Sequence, residues 1–568
     1  MNTVQIKLNA ISKNMTNKSK KVKISDYLIE KIQAASADHV FGVPGDFIIS
    51  WMSQVQKSTL QLITTSDEQG AGFAADSYAR LRGFGVVAVT YGVGGLKLAN
   101  STAQAYAEES PVLVISGAPG VKERHLHPMI HHKVKSYDSQ LRVFQELTCA
   151  QTTLTDPNTA CSEIDRVIDA IIKTNRPGYI ELPRDVEGLE VNRPVHIATT
   201  PLLDSPHTDE AALEELLSDT TKLLLKAKAP VIVLGIQLVR FGLVEPIIKM
   251  AERLNIPIAT TTLSKSAINE MHPNFIGVYS GRMSNKTVSD TVENSDCVMM
   301  LGVLMSDMDM GIYTAHISPQ KILHVTRERL AIGRHRFEHI QPTDFIARLI
   351  KIEVPPKTDQ YFTPFSGMKK PFLGHAADKI TNATLFARLG ECLDESCAVL
   401  ADPGDALFGS IDLPIKSSIN FISSAFYASL GFAVPGAIGV SFADPSLRPI
   451  VLVGDGAFQM TGMEISVAVR YGLNPIIIVL NNDGYLTERL ILEGAYNDIT
   501  PWNYAGVTTV FNSGYSAKIT TNEQFTQELL AAKNRTECFT LLEVILDRLD
   551  CSEALKRLGE QLNKIVKN

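Results

Sequence analysis

"GDGAFQMTGMEISVAVRYGLNPIIIVLNN", residues 454–482, holds two short polar turns, each placed directly after an apolar run. Gly454-Asp455-Gly456 closes the run "PIVLV", Asn481-Asn482 closes "PIIIVL", and 24 residues lie between the two turns. Apolar runs of this length bounded by turns read as strands buried on both faces, and the interval suits one crossover helix between parallel neighbours. Both turns then fall at the carboxyl edge of a parallel sheet, where open α/β sheets take their ligands. Asp455 and the Asn482 side chain are hard oxygen donors of the kind Mg²⁺ takes alongside phosphate oxygens. Gly454, Gly456 and Ala457 let backbone amides approach a phosphate at a helix start.

The same idiom recurs along the chain. "GVVAVTY", "PVLVISG" and "PGYIELP" lie within residues 24–190, and "APVIVLG", "IPIATTT" and "CVMMLGV" within 208–352. "PIVLVGDG", "PIIIVLNN" and "FTLLEVIL" lie within 372–550. Strand-like runs alternating with helical stretches predict three doubly wound α/β domains, each a parallel sheet covered on both faces. Pro-rich, weakly periodic segments at 191–207 and 353–371 read as linkers. Residues 1–23, with six lysines and no acid, read as a flexible tail, and Leu555, Leu558, Leu562 and Ile565 give a closing amphipathic helix over 551–568.

A net charge of −7 in 568 residues argues against nucleic acid or an anionic membrane as the main partner and points to a small molecule. No run is long enough to span a membrane. The seven cysteines show no Cys-x-x-Cys spacing and read as reduced thiols of a cytoplasmic protein.

The Gly454–Asn482 segment resembles the binding motif of thiamine diphosphate (ThDP) dependent enzymes, whose pyrimidine-binding, middle and diphosphate-binding domains match the three blocks. Ala457 departs from the serine many members carry, and a backbone amide still serves the phosphate there. The resemblance implies ThDP and Mg²⁺ as cofactors, with Asp455, Asn482 and Gly484 on the metal. It also places Glu68 of "TTSDEQGAGFAADSYARLRG" on the cofactor's pyrimidine ring, Leu430 of "YASLGFAVPG" under the bend between its two rings, and Asp405 with Ala406 of "DPGDALFG" beside the diphosphate.

Members that decarboxylate 2-oxo acids without oxidation combine an early "GD" loop, a His-His pair after the third strand and a glutamate soon after the Asn-Asn. Asp46 in "VFGVPGDF", His131 and His132 in "MIHHK", and Glu488 in "NNDGYLTERL" fill these positions. The chain is therefore similar to pyruvate, indolepyruvate and phenylpyruvate decarboxylases. Neighbours in an extended segment point to opposite sides, so one imidazole is expected in a cleft and the other behind it. Glu488 is assigned to decarboxylation, Asp46 and His132 to protonation and release, and His131 to orienting its neighbours.

Leu407 and Thr487 stand where small-substrate relatives have bulkier residues, and Ile491 joins them in the expected substrate pocket. A wider pocket favours aromatic or long, branched 2-oxo acids over pyruvate. An acetolactate-synthase-like carboligase and a silent ThDP-binding regulator are the rival readings, although "LGIQLVRFG" lacks the G-x-G-x-x-G of a nucleotide turn. The resemblance further implies a site shared between two copies, in a dimer at least and a homotetramer in the common case.

Overall fold

The computed structural model describes residues 21–126, 128–194, 208–367 and 375–567. Three large sheets form where the apolar runs predict them. The first is wholly parallel and runs in space Gln61–Thr64, His39–Gly42, Gly85–Val89, Val112–Ala118, Gly178–Pro183, Ala150–Thr153. The third, also parallel, runs Phe421–Ser423, Cys397–Ala401, Arg448–Gly454, Ile476–Asn481, Thr540–Ile545, Tyr515–Ile519. Numbered along the chain, the strands of each take the order 2-1-3-4-6-5, so the two sheets share one winding. Central strands such as Val112–Ala118 are buried at every residue because helices cover both faces.

The middle sheet has five parallel strands ordered Phe275–Val278, Ile258–Thr260, Pro230–Leu234, Cys297–Leu301, Ile322–Val325, extended by the antiparallel pair Leu330–Ile332 and His335–Phe337. Its winding reverses between Leu234 and Leu301, where such sheets hold nucleotides. Here that crevice is closed by backbone. Gly235 N donates to Leu301 O at 2.8 Å and Gln237 N to Gly302 O at 3.2 Å, and a Cβ on Gly235 would lie 2.1 Å from Gly302 O. Amides that would face a pyrophosphate are thus already bonded.

Contacts between Cα atoms group the chain into two compact units. One contains the first sheet together with residues 434–446 and 461–473 of the third block. In it, Ile438 and Val467 join the core around Phe41, Tyr78 and Tyr179. The other unit contains the middle and third sheets.

Three boundaries differ from the sequence reading. Lys21–Lys23, in the expected tail, pair antiparallel with Glu190–Asn192, which reach into the expected linker. Residues 353–367 lie against the middle sheet, with Phe365 N bonded to Phe275 O at 2.7 Å and Val354 in its core. The closing helix spans Glu553–Lys567 and buries Leu555 and Leu558, while the side chains of Leu562 and Ile565 lie outside the described residues. All seven cysteines are free thiols. Among the described residues no helix is long and apolar enough to cross a membrane.

Within the second unit a fully buried ion pair ties the middle sheet's 264–270 turn to the 411–415 loop. Lys265 Nζ donates to both Glu270 oxygens at 2.9 and 2.8 Å and to Leu413 O at 2.8 Å, and Ile415 N donates to the same carboxylate at 2.9 Å. Neither side chain of the pair is exposed. Lys265→Met, which strands a buried carboxylate, is expected to destabilise this unit by about 3 to 5 kcal/mol in urea unfolding. The double variant Lys265→Met/Glu270→Leu, which removes both charges, should recover part of that loss.

Candidate functional site

The winding of the third sheet reverses between Ala401 and Gly454, so the loops after these two strands part and leave a crevice. A cavity of about 290 Å³ occupies it, lined by both loops and by the turn after Asn481. Asp455 opens the helix Asp455–Thr461 and is buried. Its carboxylate accepts from Gly456 N at 2.7 Å, Gly484 N at 3.1 Å and Asn482 N at 3.2 Å. Burial raises its pKa to about 6, and the amides oppose that rise. Asn482 and Gly484 line the same cavity, so residues offering oxygen donors of the kind Mg²⁺ takes come to it from two turns.

Gly454, Gly456, Ala457, Ala406, Leu407, Leu430, Thr487 and Glu488 all line this cavity; Ile491, half-buried on the helix Leu486–Ile491, does not. Asp405 lines it as well, but its carboxylate is engaged by Ser552 N at 2.9 Å and by Asn382 Nδ2 at 2.5 Å. Sequence reading missed Asp402. This carboxyl is fully buried, has its pKa raised to about 7 by burial, and accepts from the amides of Gly431, Phe432 and Ala433 at 2.8, 3.1 and 3.2 Å. It thereby fixes the backbone next to Leu430.

In the first unit Asp46, His131 and His132 come together. The first sheet reverses between Gly42 and Val89, and Asp46 and Thr90 stand in the two parted loops. His131 Nε2 lies 2.7 Å from Asp46 Oδ2, and His132 Nε2 lies 4.0 Å from Oδ1. Burial works against the charge of Asp46, but the hydrogen bond and charge of His131 outweigh it and hold the carboxyl below the usual range.

The two imidazoles do not point to opposite sides. His132 has φ +66°, a left-handed conformation that brings both rings toward Asp46 with centroids 4.6 Å apart. Gly92 makes this turn possible, since a Cβ there would lie 2.4 Å from His132 O. The segment is also fastened from behind: Tyr91 Oη donates to Tyr137 O at 2.9 Å, and Arg124 pairs with the buried Glu181 at 2.7 Å. A short helix, Val121–Leu126, stands between the strand Val112–Ala118 and the pair, and that strand is the fourth of its sheet in chain order.

Glu68 is the first residue of the helix Glu68–Arg82, after the N-cap Asp67, whose carboxylate accepts from Gln69 N at 2.8 Å. Lys97 Nζ is 3.4 Å from Glu68 Oε2 and pairs also with Asp67. Behind this helix start lies a second acid the sequence reading passed over. Glu464 is buried, takes a hydrogen bond from Ser66 N at 3.3 Å, and leaves Oε1 without a partner. Burial raises its pKa to about 7. The only sequence signal for it is an acid inside an otherwise apolar helix pattern.

Comparison with known proteins places this arrangement. Family models described as thiamine pyrophosphate enzyme N-terminal TPP binding domain, central domain and C-terminal TPP binding domain match residues 22–142, 217–348 and 408–544. An alpha-keto-acid decarboxylase of Mycobacterium leprae is 31% identical over 563 residues, covering 95% of this chain and 96% of the relative. The chain belongs to the thiamine pyrophosphate enzyme family. An indole-3-pyruvate decarboxylase of Azospirillum brasilense is 31% identical over 94% of this thiamine pyrophosphate enzyme and 97% of its own length. An alpha-keto-acid decarboxylase of Mycobacterium tuberculosis is 30% identical over 94% and 96%. The oxygen donor set at Asp455 and the glycine-flanked turn fit the diphosphate end of the family's cofactor, which is ThDP.

Glu464 holds its proton more tightly folded than unfolded, so the stability tied to that proton is complete below about pH 4.5 and is lost as the pH rises through about 7. Glu464→Gln, which cannot ionise, should match the natural chain at pH 5 and exceed it at pH 9 by on the order of 3 kcal/mol in denaturant unfolding. Equal pH profiles for the two proteins would contradict this account.

Proposed function

We propose that this thiamine pyrophosphate enzyme decarboxylates 2-oxo acids without oxidation, releasing an aldehyde and CO₂, with Mg²⁺ at Asp455, Asn482 and Gly484 and a preference for aromatic or long, branched substrates over pyruvate. The observation that carries the reading is the Asp46–His131–His132 cluster, a carboxylate 2.7 Å from one imidazole nitrogen and 4.0 Å from a second, in a chain of this family. The relatives named alpha-keto-acid and indole-3-pyruvate decarboxylases support it.

When bound, ThDP supplies a carbon nucleophile and the electron sink for CO₂ loss. Glu68 holds a proton at the pyrimidine N1′ atom, and Leu430 gives an apolar support for the bend between the rings. Asp46 and His132 deliver the proton that completes the aldehyde. Glu488 lines the cavity from the first turn of the helix Leu486–Ile491, where it would stand beside the substrate carboxylate with the cofactor bound. Leu407 and Thr487 leave room for a large substituent on the keto carbon.

The reading includes a second copy of the chain, the Asp46 cluster of one copy meeting the Asp455 turn of another. Support comes from large apolar side chains left exposed on segments following the two turns: Met460, Leu492, Tyr496 and Trp502. The bonded amides at Gly235 and Gln237 weigh against a flavin in the middle sheet and hence against the carboligase reading.

Aldehyde release from phenylpyruvate, 4-methyl-2-oxopentanoate and pyruvate, measured with and without ThDP and Mg²⁺, tests the proposal. Release should depend on both cofactors and favour the two larger acids; a clear preference for pyruvate defeats the specificity assignment. Gly92→Ala, whose Cβ would press on His132, should lower kcat by about 10²-fold with little change in ThDP affinity. A normal kcat in that variant would remove the imidazoles from the chemistry.

A further inference from the structure

The Asp46 cluster has a second chemical capacity. Two imidazole nitrogens and one carboxylate oxygen from Asp46, His131 and His132 lie within 4.8 Å of one another. Zinc binds such atoms at roughly 2.0 to 2.2 Å in tetrahedral geometry, which sets ligand atoms about 3.3 to 3.6 Å apart. His131 Nε2 lies 2.7 Å from one oxygen of Asp46 and His132 Nε2 lies 4.0 Å from the other, so the carboxylate faces both rings. Closing the set around one ion therefore takes side-chain adjustments on the order of 1 Å. We propose that Asp46, His131 and His132 form a binding site for a borderline divalent cation of the zinc or cobalt class, and that its occupation inhibits the enzyme.

Ligand chemistry separates this site from the magnesium site. Imidazole suits Zn²⁺ and Co²⁺, whereas Mg²⁺ takes oxygen donors and gives up its water reluctantly. Two imidazoles and a carboxylate also leave at least one position open for water or a substrate oxygen. Preorganisation favours binding as well. The left-handed φ of His132 and the Gly92 backbone against it hold both rings on the Asp46 side. Gly92 N is itself anchored by Gln140 Oε1 at 2.7 Å.

Charge is also favourable. Asp46 is held ionised. The cation that faces it, Arg184, is paired with Glu123, its Nε lying 3.2 Å from Glu123 Oε2, so its repulsion of an incoming ion is offset. Within the single chain Asp46 and His131 have side chains 45% and 57% exposed, so no other part of the same chain has to move for an ion to reach them.

A bound cation occupies the lone pairs that would otherwise carry protons. The inhibition therefore rests on the proposed function, while the binding rests only on the three side chains. The test uses the full chain with saturating ThDP and Mg²⁺, titrated with Co²⁺ and followed by visible ligand-field absorption and calorimetry. One Co²⁺ per chain with a nitrogen-containing ligand-field band, displaced by Zn²⁺, is expected. Asp46→Asn and His132→Gln, at exposed or half-buried positions whose folding is checked by circular dichroism, should each weaken binding tenfold or more.

Absence of the band, or a band that survives both substitutions, overturns the site. Aldehyde release is then assayed with Zn²⁺ added at constant Mg²⁺ and should fall with the occupancy read from the band. A band lost in both variants together with uninhibited release supports the cation site and overturns the inhibition. The same band in a protein that releases no aldehyde supports the site while overturning the proposed function.

Discussion

A parallel sheet whose winding reverses cannot keep its edge loops together. At the reversal the two central strands send their crossovers in opposite directions, and the gap between the departing loops has no side chains of its own to fill it. The first and third sheets repeat this constraint in one order, and each puts its acids there: Asp46 opposite Thr90 in one, the Asp402–Asp405 loop opposite Asp455 in the other. The middle sheet has a reversal as well, but the Gly235 and Gly302 backbones meet across it and leave no opening. Identical architecture thus yields two sites and one closed joint, decided by what the loops carry.

Acids placed in such gaps are costly to ionise. Asp402, Asp455 and Glu464 all have pKa values pushed up by burial, and the first two are surrounded by backbone amides that partly restore the charged form. Asp402 spends those bonds on backbone geometry beside Leu430. Asp455 sits where a divalent ion would supply the missing positive charge and stabilise the carboxylate outright. Asp46 belongs to the opposite case, open to solvent within its chain and held ionised by the neighbouring imidazole.

Most of the strands were legible because fully buried parallel strands are short apolar runs ended by turn residues; "PVLVISG" and "PIIIVLNN" became Val112–Ala118 and Ile476–Asn481. The Asp455 turn was legible because two turns at a fixed interval carry more information than either alone. The grouping into units was not, since two helices of the third block join the core of the first, and that choice lies in long-range packing of residues such as Ile438 and Val467. Nor was the orientation of the imidazoles legible, because a positive φ at a histidine is set by Gly92, forty residues away in the chain. Asp402 and Glu464 escaped notice for a related reason: burial of one acid among apolar neighbours leaves no periodic trace.

Behind the imidazole loop sits Gln140, whose amide is used at both ends. Its oxygen takes the Gly92 N–H, and its nitrogen donates to Ser116 Oγ at 2.8 Å and to Tyr179 Oη at 2.5 Å. The side chain can serve these partners in one orientation only, because its two ends are chemically distinct. Hydrolysis of this amide to an acid during ageing of the protein would replace the donating nitrogen by an accepting oxygen, set against two hydroxyls that already donate to Gly117 O and Glu181 Oε1, and place a charge under the loop. Damage too small to alter the molecule's outline would then be felt at the paired imidazoles of His131 and His132.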